Sequence, residues 1–333
     1  MLTITKPGLL TSIQDLGRYG FQKFGVIASG VMDPLSHRIA NLLVGNQESA
    51  PTMEITLIGP AIEFKEDALI SICGGDLSPV IDGKPVRMWR SVFVKKGSTL
   101  QFGKCRSGCR AYLALAGGYA VKSIMGSKST YLRAEMGGFN GRALQAGDQV
   151  SFKPPGDLSA KIIQYIKKDL SPDTFVQSEW SVASDLIPNH ANSTSIRVIK
   201  GLQFDLFTEE SQDTLFKDLF EISSQSDRMG YRLKGPTLSL DTPQEMISEA
   251  VNFGTIQVPS DGNPIILLAD RQTTGGYPKI GQVTTVDLPL LAQAKPGDRI
   301  RFAELSHEDA ESLYLERETQ IKRLRMGIAL KFR

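Results

Sequence analysis

The chain has 333 residues, 41% apolar and 22% charged, with 38 Lys and Arg against 36 Asp and Glu and a formal net charge of +2. That length can bury a large core and build two domains, and the even charge balance gives no field for gathering nucleic acid or an anionic membrane. With 31 Gly and 17 Pro among many short β-branched runs, the composition favours a β-rich chain with many turns.

The N-terminus, Met1 to Gly8, alternates like a first strand and lacks the basic region, apolar core and cleavage site of a signal peptide. No apolar run approaches the ~18 residues of a membrane span. The three cysteines, Cys73, Cys105 and Cys109, are an odd number in a large chain, which suits a reducing cytoplasm. Cys105 and Cys109 have no His or second Cys pair at ligand spacing, so no metal is expected. His37, His190 and His307 are scattered, which speaks against a His-centred triad.

The first loop of interest is Gln14-Asp15-Leu16-Gly17-Arg18, followed by Gly20, Gly25 and Gly30-Val31-Met32-Asp33. Polar groups separated by glycines allow backbone to approach a ligand closely. Gln14, Asp15 and Arg18 are therefore candidate ligand groups, although Asp15 and Arg18 can equally pair with each other. Asp33-Pro34 caps and opens a helix, because Asp accepts from free amides and Pro is tolerated at the first position. Leu35, Ile39, Leu42 and Leu43 form its buried face, and Gly45 ends it. Asp33 reads as a cap before it reads as a base, and the free amides there suit an anion.

Gly126-Ser127-Lys128-Ser129-Thr130-Tyr131-Leu132-Arg133 comes next, then Gly137 to Arg142. A P-loop needs a Gly paired with a later Gly-Lys-Ser/Thr, and no earlier Gly fits. The segment is still rich in cations and hydroxyls able to hold carboxylate or phosphate, with Lys128, Ser129, Thr130 and Arg133 as candidates. From Lys153 to about Ser195 the chain is polar and Pro-flanked. It carries Pro154-Pro155-Gly156, Leu170-Ser171-Pro172-Asp173 and Asn189-His190-Ala191-Asn192-Ser193, and reads as a connector with little core of its own. A short amphipathic piece covers about Glu209 to Leu219, and Asp227 to Arg232 forms a compact charged turn. Glu249 is a candidate general base or a solvent-facing strand carboxylate.

The most informative stretch follows the apolar run Ile265 to Ala269. A buried strand empties there into Asp270-Arg271-Gln272-Thr273-Thr274-Gly275-Gly276-Tyr277-Pro278. Such a loop can aim several hydrogen-bonding groups at one small ligand. Arg271 to Thr274 are the foremost candidates, with Lys128 to Arg133 and Gln14 to Arg18 as walls. A last helix starts at Ser306 with Asp309 three residues on, and Ala310, Tyr314, Ile321 and Leu324 share one face. Its many charges mark a surface helix.

Four matches recur in the same order. Gly59-Pro60 pairs with Gly235-Pro236, Asp82-Gly83 with Asp261-Gly262, Gly117-Gly118-Tyr119 with Gly275-Gly276-Tyr277, and Gly147-Asp148 with Gly297-Asp298. The order points to a duplicated β-domain; common hairpin turns are the plainer reading. The expected division is a first β-domain over 1–153, a connector over 154–195, a second β-domain over 196–305, and a helix with tail over 306–333.

Taken together, Gln-Asp-Leu-Gly-Arg, Gly-Val-Met-Asp, Ala-Asn41-Leu-Leu-Val-Gly-Asn46, Gly-Ser-Lys-Ser-Thr-Tyr-Leu-Arg-Ala, Asp-Arg-Met-Gly-Tyr-Arg-Leu and Gln-Thr-Thr-Gly-Gly-Tyr-Pro resemble the family of the 5-oxoprolinase C component. That family is also described as allophanate hydrolase subunit 2-like, as biotin-dependent carboxyltransferase, or as a Kip-type antagonist of a sporulation-kinase inhibitor. The blocks run from Lys6 to about Phe302. Ser29-Gly30 stands where Gly-Gly is usual, and Gly201-Leu202-Gln203 where Gly-Pro-Gln is usual.

The resemblance implies two cyclophilin-like β-barrels and a cytoplasmic complex with subunits A and B. It implies ATP, with magnesium held by the complex, and an ATP-dependent opening of 5-oxoproline to glutamate. Arg18, Lys128, Arg133 and Arg271 would clamp anions, with Asp15, Asp33 or Glu249 as base or positioning group. Gln272, Thr273 and Thr274 would orient the amide, beside Gly275, Gly276 and Tyr277. Arg325-Met326-Gly327 is not the Met-Lys-Met of a biotinylated domain, so no biotin is expected on this chain. Two alternatives remain: a carboxyltransferase acting on urea or a similar amide with biotin on another chain, and a regulator that binds a kinase inhibitor without chemistry of its own.

Overall fold

A computed structural model describes residues 1–168, 173–189, 194–242 and 244–332. Leu170 to Pro172 and His190 to Ser193, in the expected connector, lie outside the described residues. The chain divides into two compact units, one of residues 1–18, 33–188 and 319–333, the other of residues 19–32 and 189–318.

These divisions differ from the expected ones for a packing reason. Met32 buries its side chain in the second unit's core beside Ile196 and Ile266, which draws in residues 19–32. The expected connector instead contains a helix, Asp157–Lys167, whose Ile162 and Ile166 are buried and whose Ser159 hydroxyl donates to the Val44 carbonyl at 2.6 Å.

The first unit has two six-stranded sheets. One runs in the order Gln149–Val150, Leu2–Lys6, Ala61–Phe64, Thr99–Gln101, Val80–Ile81 and Lys84–Pro85. The other runs Phe175–Gln177, Ser91–Val94, Ala68–Asp76, Ser107–Leu115, Thr52–Thr56 and Leu10–Gln14. Leu2, Ile4, Ile62 and Phe64 of the first meet Ile13, Met53, Ile70 and Leu113 of the second in one core. Alternate side chains of a strand point to opposite faces, so each sheet supplies every second residue.

Helix α1, Pro34–Leu43, forms as its signals require: the Asp33 carboxylate accepts from the Ser36 amide at 3.0 Å, and Pro34 takes the first position. The expected face of Leu35, Ile39, Leu42 and Leu43 is buried, but so are Ser36, His37 and Asn41. The helix is covered nearly all round, so its polar positions must find partners inside.

The second unit is a closed seven-stranded barrel: Thr194–Lys200, Lys279–Val283, Thr255–Gln257, Ile265–Leu267, Gly230–Lys234, Leu219–Ile222 and Arg299–Glu304. The first and last strands pair in parallel and close it. A barrel leaves no strand edge to protect, and Val198, Phe220, Ile256, Ile266 and Phe302 fill its interior.

Counting Asp157–Lys167 as α2, the remaining helices are α3 (Glu209–Lys217), α4 (Leu288–Ala292) and α5 (His307–Lys331). Asp309 and Ser306 cap α5 reciprocally: the Asp309 amide donates to Ser306 Oγ at 3.1 Å, and that hydroxyl to the Asp309 carboxylate at 2.7 Å. Ala310, Ile321 and Leu324 are its buried face, with Ile328 continuing it, and Tyr314 is exposed. Mainly β structure with few helices is what composition indicated. Among the described residues, no helix is long and apolar enough to cross a membrane.

The repeated sequence blocks fare differently. At Gly147-Asp148 and Gly297-Asp298 the turns coincide. Both glycines have φ near +90°, both Asp carboxylates accept from the backbone three residues earlier, and both glycine amides bond a neighbouring strand, at Ile4 and Ile222. At Gly-Gly-Tyr they do not. Gly117 has φ +84°, and a Cβ there would meet the Lys153 carbonyl oxygen at 2.1 Å, so only glycine fits. Gly275 lies instead in a short extended strand, Thr274–Gly275. Tyr119 is wholly buried, whereas Tyr277 is 49% exposed.

Candidate functional site

In the second unit, the strand Ile265–Leu267 continues through buried Leu268 and Ala269 to Asp270. Asp270 is 6% exposed and held by Arg228: Nε donates to Oδ2 at 2.9 Å and Nη2 to Oδ1 at 3.1 Å. The same Nη2 donates to the Gly30 carbonyl, and the Asp270 amide donates to the Arg228 carbonyl at 2.8 Å. A fork of this kind fixes a carboxylate in direction as well as distance. Asp270 thus roots the loop. Arg228 was legible only as part of a charged turn, because its partner lies 42 residues on.

Arg271 turns the other way. Its guanidinium rests 5.9 Å from the Phe253 ring centroid and donates at 3.3 Å to the carbonyls of Val251 and Leu268. No carboxylate lies within ion-pair distance of it among the described residues. Burial pulls the guanidinium below its ordinary value, opposed by Tyr19. A half-buried cation held only by neutral groups is a ready partner for an anion. Gln272, Thr274 and Tyr277 are exposed beside it, and Thr273 and Gly276 are half-buried.

The two-residue strand Glu249–Ala250 lies across this loop, with Glu249 opposite Gly275 and Ala250 opposite Thr274. Glu249 is therefore brought to the loop. Its carboxylate accepts from Lys279 Nζ at 2.6 Å, the Lys side chain being 11% and the Glu side chain 50% exposed. Lys279 was missed in the sequence, where it reads as an ordinary strand residue. It pairs with Gln257 on the neighbouring strand, and a Cβ on Gly275 would fall 2.2 Å from Gln257 Nε2. The Gln257 side chain thus packs directly against the backbone of residue 275. Beside Gly276, Tyr277 and Pro278 opens a cleft of about 690 Å³, lined also by Leu238, Met246 and Val258.

In the first unit, Asp15 closes the strand Leu10–Gln14 with its carboxylate fully engaged. Oδ1 accepts from Gly17 N at 2.9 Å, Ser127 Oγ at 2.7 Å and Ser129 Oγ at 2.6 Å; Oδ2 accepts from Lys128 N at 2.6 Å. Three of these neutral donors, from Ser127, Lys128 and Ser129, stitch the 127–129 loop to the strand, and the Gly17 amide closes the local turn. The neighbouring expectations change accordingly. Ser129 and Thr130, expected to face an anion, turn their hydroxyls inward, Thr130 donating to the Ile13 carbonyl at 2.8 Å. Arg18, expected as an anion clamp, is wholly buried and donates to the carbonyls of Ile124 at 3.0 Å and Ser129 at 3.1 Å. Gln14 is also buried, bonded to Ser12 and Thr130. Arg133 is exposed on a 3-10 turn, Leu132–Ala134.

Asp33 likewise serves the fold. It has no exposed surface, its Oδ2 accepts from Ser36 Oγ at 2.5 Å, and its amide donates to the Tyr112 hydroxyl at 2.8 Å. Tyr112 donates on to Glu54 at 2.9 Å, and burial with the Glu54 charge pushes its own ionisation well up. His37 is wholly buried beside Thr52, 2.8 Å away. Burial pulls it down to about 4 against the opposing pull of Asp15.

Residues 24–304 match the family described as carboxyltransferase domain, subdomain A and B. The chain is 37% identical over 325 residues to the C component of 5-oxoprolinase from Haemophilus influenzae, covering 98% of each protein. It is 36% identical over 310 residues to the C component of 5-oxoprolinase from Escherichia coli, covering 93% of each. The crystal structure of Kluyveromyces lactis urea carboxylase superposes with a TM-score of 0.87 at 31% identity, over 98% of this chain and 29% of that one. The chain thus spans the two 5-oxoprolinase components almost end to end and about three tenths of the carboxylase.

Proposed function

The chain belongs to the carboxyltransferase domain family, subdomains A and B, and from that premise we propose that it is the C component of a 5-oxoprolinase-type assembly that opens 5-oxo-L-proline to L-glutamate with ATP. Sequence identity of 37% and 36% with two such C components, across nearly the whole of each, carries the reading. Such a component would work with A- and B-type subunits in one complex.

The chemistry asks for groups that the second unit has. A lactam amide is a poor electrophile. Phosphorylating its oxygen would make the amide carbon electrophilic: water adds there, and the C–N bond breaks as the ring nitrogen takes a proton. A second water hydrolyses the resulting acyl phosphate to the carboxylate and free phosphate. ATP with magnesium, held by the assembled complex, supplies the phosphoryl group. This chain would contribute a cation for the substrate carboxylate or the developing phosphate, and a base for water. Arg271, free of any carboxylate among the described residues, suits the first task. Glu249, half-exposed and fixed over the loop by Lys279, suits the second. Gln272, Thr273 and Thr274 would orient the amide. Asp15 and Asp33 are left out because their oxygens already bond the fold.

A second reading, carboxyl transfer to urea or a similar amide with biotin on another chain, is favoured by the likeness to urea carboxylase. One reconstitution separates the two. The chain is mixed with candidate A and B subunits, and 5-oxoproline, ATP, bicarbonate and glutamate are followed. Glutamate formed only by the three-part mixture supports the first reading, and bicarbonate- and biotin-dependent carboxylation replaces it with the second. Within the first, Arg271→Ala should lower turnover at least ~100-fold, as loss of one charge-stabilising donor does. Unchanged turnover removes Arg271 from the site.

A further inference from the structure

We propose that the first unit holds an anion site of its own, in which Lys128 and Lys153 together bind the phosphoryl group of a small phosphorylated ligand. The site is a polar pocket of about 430 Å³ lined by Asp15, Asn46, Gly117, Gly126, Lys128 and Lys153. It does not rest on the activity proposed for the second unit.

Charge accounting within the pocket favours an anion. Both lysines line it, and neither has a carboxylate within ion-pair distance among the described residues. Asp15 is the one acid in the lining, and it already accepts from two serine hydroxyls and two backbone amides. Its charge reaches Lys128 only as a minor influence. Burial, then Lys153, pull the Lys128 ammonium below its ordinary value, and Asp15 only partly opposes them. The two ammonium groups therefore feel each other across the pocket. Like charges held together gain most from an anion between them.

The chemistry of two lysines selects among anions. An ammonium is a compact point charge that binds phosphate without the planar fork that carboxylates prefer in arginine. Two such charges are matched by a dianion, whereas a single carboxylate leaves one ammonium uncompensated. Asn46 contributes shape rather than contact: its side chain bonds Asn41, the Leu115 carbonyl and the Gly117 amide. The close approach of Gly117 to the Lys153 carbonyl fixes the backbone from which Lys153 projects. At about 430 Å³ the pocket falls in the size range of small-molecule sites and exceeds what bare phosphate needs.

The full chain, in phosphate-free buffer at pH 7, is titrated calorimetrically with inorganic phosphate, ATP and acetate. Phosphate binding at least tenfold tighter than acetate is expected, with Lys128→Met and Lys153→Met each weakening it at least fivefold. ATP binding tighter than inorganic phosphate identifies a phosphate ester as the source, and the reverse identifies free phosphate. Equal affinity for phosphate and acetate, or a Lys128→Met/Lys153→Met double variant that binds phosphate like the parent, overturns the proposal. Because both side chains reach solvent, near-UV circular dichroism of the variants should match the parent. As an independent readout, Lys153→Ala should raise the titration midpoint of isotope-labelled, dimethylated Lys128 by NMR, and phosphate should raise it in the parent. A midpoint unmoved by both also overturns it.

Discussion

Asp15 and Asp270 hold similar posts in the two units. Each closes a strand whose side chains feed a core, each is nearly buried, at 8% and 6% exposure, and each pins the start of a polar loop. Their charges are met in opposite ways. Asp270 faces the guanidinium of Arg228 in a two-point ion pair. Asp15 faces only hydroxyls and amides. A carboxylate paired with a cation projects little field, while one held by neutral dipoles keeps its charge in play. His37 and Lys128 both feel Asp15, whereas Arg271, adjacent to Asp270 in the chain, feels Tyr19 instead. The ion-pair anchor thus leaves Arg271 uncompensated, and the neutral-donor anchor keeps a field that reaches His37 and, only weakly, Lys128.

The comparison can be broken most forcefully at Arg228. Arg228→Met strands the Asp270 carboxylate in the interior and should cost about 3–5 kcal/mol, whereas exchanging both partners for apolar side chains of similar volume should recover most of it. The check is the urea midpoint of the single and double variants. A single-variant loss no larger than that of an exposed ion pair would show that Asp270 is solvated and that the two anchors do not differ.

Acid stability tests the field of Asp15. His37 sits at about 4 in the fold and has an ordinary value of 6.5, so as pH falls the unfolded chain takes up its proton first. Its contribution is complete above pH 6.5 and is lost on the way down to pH 4. That loss totals about 3 kcal/mol at 1.36 kcal/mol per unit. His37→Gln should flatten this part of a stability-versus-pH curve. Asp15→Asn should move the NMR titration of His37 lower still, since Asp15 supports its charged form; no movement would mean the carboxylate's field is already cancelled.

Ser129→Ala should have the smallest effect. It removes one of four donors to an ionised acceptor, worth about 1.5–3 kcal/mol. Thermal melting of Ser129→Ala beside Ser127→Ala would show whether the donors share the load. A loss matching that of Arg228→Met would mean a single hydroxyl, not the set, holds Asp15.

Much of this was legible in the chain, where cause and effect are close in sequence. The cap and apolar face of α1 are set by residues 33 to 43, and they form as read. The turns at Gly147-Asp148 and Gly297-Asp298 are alike because the Asp bonds its own neighbours. The Gly-Gly-Tyr echo failed because nothing within three residues decides it. Gly117 is required by the Lys153 carbonyl, whereas Gly275 lies in a strand against the Gln257 side chain.

The candidate site divides along the same line. Sequence marked the Arg271 loop, since a strand of Ile and Leu ending in charge and amide is a local pattern. It also made Arg18 and Asp15 look like ligand groups, because a polar side chain reads the same whether it meets ligand or backbone. Tertiary structure decided between those uses. It buried Arg18 under Ile124 and Ser129, gave Asp270 its Arg228, laid Glu249 and Lys279 beside the loop, and brought Lys153 to Lys128. Local propensity, capping and alternation act over a few residues and can be read in order. Charge compensation in a low-dielectric interior acts through space, and its partners are set only when the chain has folded.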